Sequence, residues 1–166
     1  GVALALMNDG ADDEALAQEV RGNLFHLHGG NIDTYRRMIH HMDEGIGRLM
    51  DLLRAEGLER DTLVVFTSDN GGERFSDNWP LVGGKMDLTE GGIRVPWIAH
   101  WPAVIAPGST STQTCMTMDW SATMLDAAGA PAAASHPLDG RSLMPLLHDA
   151  TWRDDQPLFW RMNHRG

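Results

Sequence analysis

Asp69 and Asn70 stand side by side after the apolar run Leu63-Val64-Val65-Phe66 and before Gly71-Gly72. A carboxylate next to a neutral carbonyl oxygen suits a hard divalent cation, which takes oxygen ligands. The glycines let the backbone turn sharply and leave room for a ligand. A plain turn fits the same residues, because Asn-Gly is also a strong turn signal. No alternating second strand follows in Glu73 to Pro80, so a tight hairpin is not required, and a metal or anion site and a loop both stay open. Lys85 is the second residue with chemistry to offer. Gly83-Gly84 precede it and Gly91-Gly92 follow it. Such a backbone lets one ammonium reach an anionic group; a solvated lysine is the plainer reading. Glu90 and Arg94, four apart, read as a structural pair that holds this loop against the sheet.

Other polar residues are less convergent. His40, His41 and Asp43 lie on a helical stretch. Neighbours on a helix diverge by about 100°, so the trio does not read as a metal site. His26 and His28, two apart, also point to different helix faces. Cys115 is the single cysteine, which rules out an internal disulfide framework.

The elements that must carry these residues are legible by period. Ile32, Tyr35, Ile39, Met42, Ile46, Leu49 and Leu53 recur at steps of three and four. That spacing predicts one amphipathic helix of about seven turns. Asn31 or Asp33 can cap its start, and Gly57 is placed to end it. Leu63 to Phe66 is β-branched and aromatic without polar alternation. It reads as a strand buried on both faces, as in a parallel sheet covered by helices. In open α/β sheets ligands bind beyond the carboxyl ends of such strands, which is where Asp69 and Asn70 fall. Val95 to Trp101 reads as another strand, with Pro96 tolerated near its start. Met118 to Ala128 reads as a helix ended by Gly129, with Asp119 a structural or capping acid. Leu143 to His148 forms a short helix, and Leu158 to Arg161 a strand. Upstream, Val2 to Met7 is a short apolar stretch, and Asp12 or Asp13 can cap a helix from Glu14 to Leu24.

Composition narrows the partners. The 166 residues carry 13 basic and 23 acidic side chains, a formal charge of −10. That opposes non-specific nucleic-acid binding and attachment to an anionic membrane surface. An anionic substrate must then be caught by a local positive group. No run of about 18 apolar residues is present, so no membrane-spanning helix is expected.

Taken in order, these motifs resemble the sulfatase family of the alkaline-phosphatase-like superfamily. The resemblance runs through His41-Met42-Asp43-Glu44-Gly45-Ile46-Gly47, Val64 to Gly72, Gly84-Lys85 and Glu90-Gly91-Gly92-Ile93-Arg94-Val95-Pro96. It continues with Asp119, Gly129 and Leu138-Asp139-Gly140-Arg141-Ser142-Leu143, and is clearest over residues 31–161. The fold it implies is part of an α/β sandwich, a mostly parallel sheet flanked by helices, truncated at both ends. Residues 1–166 would be a partial catalytic domain, with the C-terminal subdomain beginning near Phe159.

The resemblance also implies roles. Asp69 and Asn70 would ligate a divalent cation, usually calcium, and Lys85 would bind the sulfate oxygens of an ester substrate. Glu90, Gly91, Gly92 and Arg94 would shape the loop that positions Lys85. The family's nucleophile is a formylglycine made from Cys-x-Pro-x-Arg or Ser-x-Pro-x-Arg, and this chain has neither. Cys115, in Thr114-Cys115-Met116-Thr117, lacks the Pro and Arg and follows the metal strand instead of preceding it, so it is rejected as nucleophile. Two ligands also fall short of the six to eight oxygens that calcium takes. The expectation is a segment of a sulfuric-ester hydrolase without turnover of its own, completed by the N-terminal part of the domain or self-associating through an exposed strand edge. A phosphodiesterase or phosphonate monoester hydrolase of the same superfamily is the nearest rival, though Asp-Asn-Gly favours the sulfatase over an Asp-His-Gly form. A non-catalytic binding or assembly remnant is the other. Arg74, Trp79 and His100 are candidates for substrate selection.

Overall fold

The computed structural model describes residues 30–162. The chain divides into two compact units, Gly1–Glu44 and Gly45–Gly166. The expectations for Val2 to Met7, the helix from Glu14 to Leu24, and His26 and His28 lie outside the described residues.

In the first unit the described residues open helix α1 (Ile32–Ala55). Asn31 caps it: its side-chain oxygen accepts the Thr34 N–H at 2.9 Å, satisfying one of the donors that a helix start leaves unpaired. His40 and His41 both reach Glu44, at 3.3 and 3.4 Å. These are ordinary i,i+4 and i,i+3 neighbours, and Asp43 takes no part in them. No group of three or more His, Cys, Asp or Glu side chains among the described residues could hold a metal.

The second unit takes up the chain within α1. Gly57, at φ +68°, ends the helix in a Schellman motif. Its N–H donates to Arg54 O at 3.0 Å, and the Leu58 N–H donates to Leu53 O at 2.8 Å. The apolar stripe forms as expected, yet no α1 residue is buried; Ile39, Met42 and Leu49 are exposed.

A short 3₁₀ turn (Glu59–Asp61) leads into β1 (Val64–Thr67). The chain returns through the turn of helix α2 (Glu90–Ile93) into β2 (Trp97–His100). β1 and β2 pair antiparallel, Val64 opposite His100 and Thr67 opposite Trp97. This corrects the expected mostly parallel sheet: the one sheet among the described residues has two strands, and they run antiparallel. β1 is also half-buried throughout instead of buried on both faces. An apolar run without alternation suggests burial but carries no information on the direction of its neighbour.

Beyond β2, helix α3 (Asp119–Ala127) and helix α4 (Met144–His148) form the core. Trp120, Leu143, Leu146 and Leu147 are buried there. Gly129, at φ +63°, ends α3 as expected, with its N–H on Asp126 O at 3.0 Å. Asp119 is the polar hub. Its carboxylate accepts the N–H of Met116 at 2.7 Å and of Arg141 at 3.1 Å. Its carbonyl accepts the Thr123 hydroxyl at 2.7 Å, and that hydroxyl accepts the Leu143 N–H at 2.8 Å. Asp119 is thus a structural acid that tethers the 138–143 loop. The strand expected over Leu158 to Arg161 does not form; these residues are irregular. No described helix is long and apolar enough to cross a membrane.

Candidate functional site

The antiparallel register places the end of β1 beside the start of β2. The Thr67 hydroxyl donates to Pro96 O at 3.0 Å and closes that mouth. Everything from Ser68 to Val95 therefore emerges at one end of the strand pair. Asp69 is exposed there and Asn70 half-buried. The Ser68 hydroxyl bends back to Asn70 O at 2.9 Å, with Asp69 Oδ1 farther off at 3.5 Å.

Three loops are knitted together by their backbones. The Gly71 N–H donates to Gly92 O at 2.8 Å, the Gly91 N–H to Val82 O at 2.7 Å, and the Lys85 N–H to Gly72 O at 3.1 Å. Glycine is required for this approach. A Cβ on Gly71 would strike Gly91 O, and one on Gly92 would strike Asp87 O and Gly84 O. The Glu90-Gly91-Gly92 turn thus packs against both the Asp69–Gly72 turn and the loop that carries Lys85. Arg94 and Glu90 pair at 3.0 Å, as the spacing suggested.

Lys85 reaches back toward the same turn, its ammonium 3.4 Å from the Glu73 carboxylate. Both side chains are substantially exposed, and an exposed pair of this kind contributes about 0–1 kcal/mol. The contact therefore does not lock the ammonium away from a competing anion. The backbone bonds bring the Asp69–Gly72 turn and the Lys85 loop onto one frame, with Glu73 paired to Lys85.

Among the candidates for substrate selection, Arg74 lies over the Phe75 ring at 4.8 Å and Trp79 is 84% exposed. His100 belongs elsewhere. It sits opposite Val64, at the far end of the strand pair from Asp69, and meets Glu59 at 3.4 Å. Asn78 was not singled out by its sequence, yet its amide bonds to both Gly72 and Gly83. Its only signal is a two-way hydrogen-bonding side chain in a loop bounded by glycine pairs.

A cavity of about 490 Å³ is lined by residues that include Thr67, Arg94, Trp97, Cys115 and Trp120. The Trp97 and Trp120 rings stack at 5.0 Å. Asp69, Asn70 and Lys85 do not line it. Burial, with a smaller push from Asp119, raises the Cys115 thiol to about 11. A neutral thiol is a poor nucleophile, in keeping with its rejection from sequence.

The oxygen donors of Asp69 and Asn70 are of the type that a hard cation takes. They are too few to complete a coordination shell.

The family model described as Sulfatase matches residues 7–130. The chain is 38% identical to the steryl-sulfatase of Mus musculus over 148 residues, 82% of this chain and 23% of that protein. It is 34% identical to the N-acetylgalactosamine-6-sulfatase of Mus musculus over 135 residues, 78% of this chain and 26% of that protein. It therefore spans about a quarter of the length of the curated relatives it matches. Among solved structures, that of Ps i-CgsB in complex with k-i-k-neocarrahexaose superposes with a TM-score of 0.67 at 33% identity, covering 73% of this chain and 27% of that one. The structure of BT4656 in complex with its substrate D-Glucosamine-2-N, 6-O-disulfate covers 90% of this chain and 31% of that one, at a TM-score of 0.56 and 28% identity.

Proposed function

Because this chain belongs to the sulfatase family of the alkaline-phosphatase-like superfamily, we propose that it forms the cation- and sulfate-holding side of a sulfuric-ester hydrolase site. The observation that carries the reading is the bond from the Lys85 N–H to Gly72 O. It joins the lysine loop to the turn that bears Asp69 and Asn70.

In this reading the Asp69 carboxylate and the Asn70 side-chain carbonyl hold a divalent cation, calcium being the one proposed. When bound, such a cation supplies Lewis-acid polarisation of a sulfate oxygen and orients the ester. The Lys85 ammonium binds the sulfate oxygens and stabilises the charge that grows on them as the ester bond breaks. Glu73 holds the ammonium on the turn's side of the loop, and a sulfate arriving there would take its place. Glu90, Gly91, Gly92 and Arg94 keep the lysine loop seated. The 166 residues contain no Cys-x-Pro-x-Arg or Ser-x-Pro-x-Arg sequence. The nucleophile is therefore assigned to a part of the catalytic domain outside them, and the isolated segment is expected not to turn over sulfate esters.

The test is Lys85→Ala in the complete gene product, assayed on an aryl sulfate and, in parallel, on an aryl phosphate. Loss of one preorganised charge of this kind lowers kcat/KM by about 100-fold or more. A rate on the aryl sulfate within about twofold of wild type would remove Lys85 from the site. Faster turnover of the phosphate by the unmodified protein would move the reading to phosphoryl transfer.

A further inference from the structure

Between Gly72 and Lys85 the chain makes a polar excursion that returns to its starting point, and one side chain within it bonds to both ends. The Asn78 Oδ1 accepts the Gly72 N–H at 3.1 Å. Its Nδ2 donates to Gly72 O at 2.9 Å and to Gly83 O at 3.1 Å. Asn78 thereby treats Gly72 as a neighbouring strand would, engaging its N–H and its C=O together. Gly72 O also receives the Lys85 N–H, so the Asn78 amide and the lysine backbone meet at a single carbonyl. Gly72 lies two residues beyond Asn70, and Gly83 two before Lys85.

We propose that Asn78 is a positioning residue that sets where Lys85 stands relative to Asp69 and Asn70. This rests on the assignment of those three residues to the sulfate and cation. The alternative brace is the Lys85–Glu73 ion pair, and it is the weaker one. Its partners are 41% and 50% exposed, where solvent screens most of the attraction. The Asn78 amide is half-buried and serves the Gly72 N–H and the Gly83 O, while sharing Gly72 O with the Lys85 N–H. Asparagine suits the task because it offers one acceptor and two donors in one rigid plane. Aspartate would keep the acceptor for the Gly72 N–H, but would turn a second anionic oxygen toward the carbonyls of Gly72 and Gly83. Alanine would release both.

The experiment uses the complete gene product with Asn78→Ala, Asn78→Asp, Lys85→Ala and the double variant Asn78→Ala/Lys85→Ala. Thermal melting confirms which variants fold, and Asn78→Asp serves if Asn78→Ala does not. Hydrogen exchange in peptides spanning Gly72 to Lys85 should quicken by about five- to tenfold in the Asn78 variants. Turnover of an aryl sulfate should fall by about 100-fold, the usual effect of a misplaced group. The double variant should be no slower than Lys85→Ala alone, because the two residues act through one interaction. Unchanged exchange, Asn78 variants at wild-type rate beside a crippled Lys85→Ala, or losses that multiply in the double variant would each overturn the positioning role. A silent Lys85→Ala would instead overturn the assignment of Lys85, and the positioning role with it.

Discussion

Asp69 and Asp119 are the same side chain in two regions built on opposite terms. Asp119 is 3% exposed, and both its oxygens accept backbone N–H groups, from Met116 and Arg141. Around it the Thr123 hydroxyl relays a second chain of bonds to Leu143, which is fully buried. Asp69 is exposed, and the Ser68 hydroxyl lies 3.5 Å from one of its oxygens. In its region order comes from backbone bonds, Gly71 on Gly92, Lys85 on Gly72 and Gly91 on Val82, and from the Asn78 amide that joins Gly72 to Gly83. A buried carboxylate with both oxygens bonded to backbone N–H groups holds a fold together. A carboxylate on a braced backbone, still facing solvent, can take a ligand.

Loss of Asp119 should have the largest effect on stability. Replacing it with alanine leaves the Met116 and Arg141 N–H groups without acceptors, at about 1–3 kcal/mol for each one that stays buried. Chemical denaturation of Asp119→Ala should show a loss of about 3 kcal/mol, whereas Asp69→Ala should stay within about 0.5 kcal/mol of wild type, as surface substitutions do. Thr123→Val removes only the relay to Leu143 and should cost about 1–2 kcal/mol. Equal losses at the two aspartates would erase the distinction drawn here.

Cys115 sharpens the contrast by a smaller effect. Its thiol is raised to about 11 by burial first and by Asp119 second. The folded protein should therefore keep the thiol protonated through neutral pH. Alkylation by iodoacetamide should be slow at pH 8 and accelerate only as pH climbs toward 11. Because the unfolded thiol ionises at a lower pH, stability from this group is complete below the ordinary thiol range and is lost as pH rises from there through about 11. Rapid labelling at pH 8 without unfolding would contradict a thiol held neutral by burial.

What the sequence revealed follows the range of each signal. The Asn31 cap, the Gly57 and Gly129 helix ends and the Glu90–Arg94 pair are local, and residue type with spacing specifies them. Asp119 read as structural or capping; the structure makes it structural, with Met116 and Arg141 as its partners. The direction of the β1–β2 pairing depends on where the chain goes between them, which no hydrophobic run encodes. Leu158 to Arg161 has the composition of a strand, yet its backbone is irregular. Asn78 was hidden for a similar reason. Its importance comes from a loop that closes on itself, and only the fold brings Gly72 and Gly83 within reach of one amide. The placement of His100 at the far end of the strand pair is likewise a matter of register.

Calcium titration of the complete gene product by thermal melting, with wild type beside Asp69→Ala, asks whether Asp69 and Asn70 hold a cation. A cation held by Asp69 and Asn70 stabilises the folded protein by about 2.7 kcal/mol at a hundredfold excess over Kd. The wild type should gain melting temperature with calcium and lose that gain to a chelator. Asp69→Ala should melt like the wild type without calcium and gain little from it. An equal calcium response in both proteins would contradict the assignment of Asp69. A calcium-free variant as unstable as Asp119→Ala would place Asp69 among the residues that hold the fold.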